Sequence, residues 1–170
     1  MSPRTAQRNS IYLELPGETI HLAAAGKVAL THGQLEQTLR MLYKTLTGLK
    51  VKEALDATEG MKNWELRKIC GKLFNHHTSD VVQRERFRAI LGKCKRLSEE
   101  RNSMIHNCWA IDDDGSVVVK SPSHQYVKAP TPEELEELAE EIQSLAIQIN
   151  TERRTGFIND IVQAAFASAP

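Results

Sequence analysis

Between Glu18 and Leu49 the residues Ile20, Ala24, Val28, Thr31, Leu35, Leu39, Leu42, Leu46 and Leu49 recur in steps of three or four. That period predicts one long amphipathic helix, which must bury its stripe against other elements. Gly26 and Gly33 interrupt the helix mildly, and Gly48 is a reasonable stop. With 170 residues the chain suits a single domain, and with only 5% aromatics its core must rest on Leu, Ile, Val and Ala.

Further stripes follow. A second helix is expected after Asn63, read as its N-cap, with Leu66, Ile69, Cys70, Leu73 and Phe74 inside. After a break at 75–79, a third helix is expected from about Asp80 to about Cys108, with Phe87, Ile90, Leu91, Cys94, Leu97, Ile105 and Cys108 as its stripe. Asp112-Asp113-Asp114-Gly115 then reads as a turn. Val117–Val119 and the returning Tyr126-Val127 predict a small hairpin. Thr131-Pro132-Glu133-Glu134 combines an N-cap, a proline at the first helical position and a capping-box glutamate, opening a last long helix. Gly156 interrupts it, and Phe157, Ile158, Ile161, Val162, Ala165 and Phe166 form a second apolar stripe, read as a packed final helix in preference to a partner-binding tail. The expectation is an all-α bundle of about four to five helices with a β-hairpin after the third. Residues 1–17 form a tail or extended segment, 18–155 the helical domain and 156–170 a helical extension.

Charge balances at 22 basic and 22 acidic residues. The balance is uneven along the chain: from Arg84 to Arg101 seven bases meet three glutamates, and from Glu133 to Glu141 there are six glutamates and no base. The Arg84–Arg96 part of the first run suits a local phosphate track and the second a solvated helix face. Cys70, Cys94 and Cys108 lack paired spacing, so they read as reduced, apolar-like residues of a cytoplasmic protein rather than a disulfide or zinc framework. No run approaches a membrane span, and the polar start has no signal core. His76-His77 is a polar break, Asp112–Asp114 lacks the spacing of a calcium loop, and no aromatic platform for base stacking is evident. No cofactor or metal is expected.

One residue breaks the pattern. At 100° per residue, the apolar side chains of the third helix cluster at roughly −40° from Phe87, and Arg101 falls at about the same angle. A guanidinium there must pair with a carboxylate such as Glu36, reach water or face an opening. Asn102 and His106 share a face one turn apart, flanking Arg101. A permanent cation, an amide and an imidazole so grouped suit proton transfer at a phosphodiester.

The run Arg101-Asn102-Ser103-Met104-Ile105-His106, near the end of an inner helix, resembles the signature of the HEPN superfamily. The wider layout is similar over roughly 18–155: a long first helix with an acidic residue, the motif helix, a short β excursion and a capped last helix. The resemblance implies a metal-independent endoribonuclease in which two protomers bring their motifs together. His106 would be the general acid or base, Arg101 would stabilise the phosphate and Asn102 would orient the site, with Glu36 as possible support. The products would carry a 2′,3′-cyclic phosphate and a 5′-hydroxyl. Such an enzyme would be a homodimer acting as a toxin or defence component on RNA. The other expectation is a non-catalytic dimerising module that recruits an antitoxin or a nucleotidyltransferase. Trp109 reads as a packing residue beside the dimer seam.

Overall fold

The protein is described from a computed structural model covering residues 19–105, 109–120 and 125–168. The expected tail at 1–17 lies outside the described residues, as do His106 and Cys108. Within them the chain forms α1 (Thr19–Thr47), α2 (Val51–Ala57), α3 (Asn63–His77), α4 (Val81–Ile105), β1 (Trp109–Ile111), β2 (Val117–Lys120), β3 (Tyr126–Lys128), α5 (Pro132–Thr155) and α6 (Phe157–Ala167).

The long stripe of α1 is the spine of the bundle. Val28, Leu35, Leu39 and Leu42 are fully buried, and α1 makes its largest interface with α5, through Leu135, Ile142, Leu145 and Ile149. Helix α3 adds Leu66, Cys70 and Phe74, and α4 adds Phe87, Cys94 and Leu97. The rings of Phe74 and Phe87 stack with centroids 4.1 Å apart, so the α3–α4 contact is aromatic although the rest of the core is aliphatic. Helix α6 inserts Ile158 and Val162 into this same core.

Two helix boundaries have clear chemical causes. Gly48 ends α1 at φ +71°, a left-handed conformation that glycine adopts without steric cost. Thr131 Oγ1 accepts the Glu134 N–H while the Glu134 carboxylate accepts the Thr131 N–H at 2.8 Å, the reciprocal box expected at the start of α5.

Three expectations need correction. A short helix, α2, lies between the first two predicted ones, so the motif helix is the fourth and the β insertion follows the fourth helix. That insertion is a three-stranded antiparallel sheet in the order β1-β2-β3, pairing Ala110 with Val118 and Val119 with Val127. Strand β1 escaped notice because Trp109–Ile111 is only three residues long. Finally, Asn63 is the first residue of α3, not its N-cap. The described residues hold six helices rather than four or five.

Candidate functional site

The carboxyl-terminal half of α4 faces a cleft of about 510 Å³. Helix α1 contributes His32 and Glu36, the start of α3 contributes Asn63, Trp64 and Arg67, and α4 contributes Ser98, Glu99, Arg101 and Asn102. Three of the four residues expected at a site, Glu36, Arg101 and Asn102, therefore line one opening. The fourth, His106, lies outside the described residues, immediately beyond α4. Arg101 is half-buried and donates from a terminal guanidinium nitrogen to Asn102 Oδ1 at 3.0 Å. The stripe position that looked anomalous thus lies at the edge of this opening.

Glu36 does not pair with Arg40 one turn later. Arg40 instead donates to the Thr58 and Met61 carbonyls and so ties the α2–α3 connection to α1. Glu36 approaches His32, its oxygen 3.9 Å from Nδ1. His32 is 5% exposed, and its Nε2 lies 3.3 Å from the Ser98 hydroxyl. That hydroxyl donates to the Cys94 carbonyl at 2.8 Å, so toward His32 it offers a lone pair. Nδ1 faces the Glu36 carboxylate. Burial holds the His32 pKa below its ordinary 6.5, with Glu36 pulling it up and Arg101 pushing it down. The ring is neutral at neutral pH.

The α3 wall is rich in donors. Asn63 Oδ1 accepts from Arg67 Nε at 2.8 Å, which fixes the orientation of the amide. Its Nδ2 is buried and finds no acceptor among the described residues. Trp64 stands beside it, 52% exposed.

His32, Ser98, Asn63, Trp64 and Arg67 were not anticipated at a site. The signal for His32 was its spacing of four from Glu36, which puts both on one helix face. No signal in the sequence joined the start of α3 to the cleft.

The other candidates have structural partners. His77 Nε2 lies 2.7 Å from the Leu46 carbonyl and its ring meets Phe166 edge-on. Asp112 sits in the turn, its N–H bonded to the Ser116 carbonyl at 2.9 Å. Trp109 packs on the core and donates from its indole N–H to the Met104 carbonyl at 2.7 Å, tying β1 to the end of α4. Cys70 and Cys94 are buried free thiols, and burial pushes both pKa values far up. Among the described residues no three His, Cys, Asp or Glu side chains gather as metal ligands, and no helix is long and apolar enough to cross a membrane. Comparison with protein-family models, characterised proteins and solved structures finds no match to this chain.

Proposed function

We propose that the chain is a HEPN-like, metal-independent endoribonuclease whose active cleft is completed by a second copy. The supporting observation is that Arg101 and Asn102, at the end of α4, share a cleft with Glu36, and His106 follows within the same short run. In this reading the ribose 2′-oxygen attacks phosphorus and loses its proton to an imidazole. The new O2′–P bond forms as the P–O5′ bond breaks, and the departing 5′-oxygen takes up a proton. His106 is the acid or base, the Arg101 guanidinium balances charge on the phosphoryl oxygens, and Asn102 positions Arg101 through the bond already described. Glu36 supports the site by offsetting positive charge beside His32.

The test is cleavage of end-labelled RNA in EDTA. Fragments should carry 2′,3′-cyclic phosphate and 5′-hydroxyl ends. His106→Ala should lower the rate by roughly 10²–10⁴-fold, and Arg101→Ala by roughly 10²–10³-fold. Cleavage that survives both substitutions rules out this site. Absence of cleavage on every RNA tried leaves a dimerising, partner-binding module as the better reading.

A further inference from the structure

The basic run of α4 divides between two faces. Arg86 pairs with Glu152 at 2.9 Å and Arg96 with Glu141 at 2.6 Å, so these two guanidiniums join α4 to α5. Arg88 and Lys95 lie two turns apart on the side facing α3. There they line an open groove with Lys68 and Arg67. Four cations line that groove with one carboxylate, Glu99, and Glu85 pairs with Arg88 from beside it. Arg88 and Lys95 pair with carboxylates of their own helix, Glu85 and Glu99, through exposed pairs of the kind that polyanions displace readily.

Trp64, Arg67 and Glu99 belong to both the groove and the cleft that holds Arg101. The indole of Trp64 therefore stands on the ridge between them, half-exposed, with the Lys68 ammonium 5.9 Å from its ring centroid. A large aromatic ring left in water beside cations is a base-stacking platform of the kind found along single-strand tracks. On the cleft side of the ridge the buried Asn63 Nδ2 offers N–H groups that no described residue accepts. A base carbonyl is the complementary group.

We propose that single-stranded RNA crosses the Trp64 ridge, with one base against the indole and Asn63 and the following phosphates in the α3–α4 groove on Arg67, Lys68, Arg88 and Lys95. This track rests on the endoribonuclease reading for its substrate, and it supplies the path that leads a strand to Arg101. The cations, the ring and the orphan donor line two adjoining openings that share Trp64, Arg67 and Glu99, and an acidic protein partner would use only the charge.

The experiment measures binding of a fluorescent, 2′-deoxy-substituted and hence uncleavable oligonucleotide across a salt series, with the intact protein in EDTA. Trp64→Ala should weaken binding roughly tenfold at every salt concentration, and Trp64→Phe should recover most of the loss. Lys68→Gln with Arg88→Gln should reduce the slope of log affinity against log salt by about 1.4, roughly 0.7 per phosphate contact on a single strand. Lys52→Gln, on exposed α2, is the control and should leave the slope nearly unchanged. Equal behaviour of wild type, Trp64→Ala and the double variant overturns the track, as does a double-variant slope no different from that of Lys52→Gln. The two readings fail separately. Cleavage that proceeds while these variants bind like wild type removes the track alone, whereas variants that weaken binding to a protein that never cleaves remove the nuclease alone.

Discussion

His32 is neutral, buried and held by a hydroxyl on one side and a carboxylate on the other, which makes its charge state a property of the fold. In the unfolded chain the imidazole takes up a proton near its ordinary pKa of 6.5, whereas in the folded chain burial holds the pKa lower. Over the interval between those two values the unfolded state binds more protons, so stability falls as pH falls through it and levels off below. Protein stability, read from urea midpoints between roughly pH 5 and 8, should therefore decline on the acid side. His32→Gln keeps a hydrogen-bonding amide near Ser98 but has no proton to gain, and its profile should be flatter. Parallel decline in the two proteins would assign the acid sensitivity to other groups. Sequence periodicity favoured Thr31 over its neighbour because the stripe ran through that position. Arg101 was legible because a cation on an apolar stripe is conspicuous. A histidine beside the stripe is an ordinary occurrence, and only its spacing from Glu36 distinguishes it.

Helices that advertise themselves differ chemically from those that do not. At α5 both halves of the capping box are present, and Thr131→Ala should cost about 1 kcal/mol of stability in denaturant unfolding. An unchanged midpoint would mean that the box adds nothing beyond its proline. At α2 and α3 only the returning half exists. Glu53 accepts the Lys50 N–H at 2.9 Å and Glu65 accepts the Lys62 N–H at 2.8 Å, with no serine or threonine before them. A lone glutamate three residues into a helix is a weak signal. Moreover, α2 is seven residues long and buries only Ala54, too little for a period to show. The α5–α6 joint was legible at Gly156, although the reason lay in three dimensions. A Cβ there would sit 2.8 Å from the Glu152 Cα and against its carboxylate. That same carboxylate accepts the Phe157 N–H at 3.0 Å and pairs with Arg86. Gly156→Ala should displace this backbone and cost roughly 1–3 kcal/mol, measurable as a lower thermal midpoint. Retention of the wild-type midpoint would show that the joint bends freely.

At the scale of the whole molecule, equal totals of acid and base concealed a division of labour: Glu141 and Glu152 use up two arginines of α4 to hold α5, while Arg88 and Lys95 face α3. The helical class and the uneven charge were readable from the chain. This sorting was not, because it depends on which face of α4 meets which neighbour. Proton bookkeeping also limits the stoichiometry of the proposed reaction. Transesterification needs one group to remove the 2′-proton and another to deliver a proton to the 5′-oxygen. One motif brings a single His106, and the twofold pair of the proposed reading would bring two, one for each proton transfer. Activity per protomer should therefore rise with protein concentration and saturate as sedimentation velocity shows monomers giving way to dimers. His106→Ala subunits mixed into wild type should depress activity more steeply than their mole fraction. A specific activity that stays constant down to concentrations where only monomers sediment would exclude the paired site. The second proton-transfer group would then have to come from the same protomer, and His32, which lines the cleft, would be the next residue to replace.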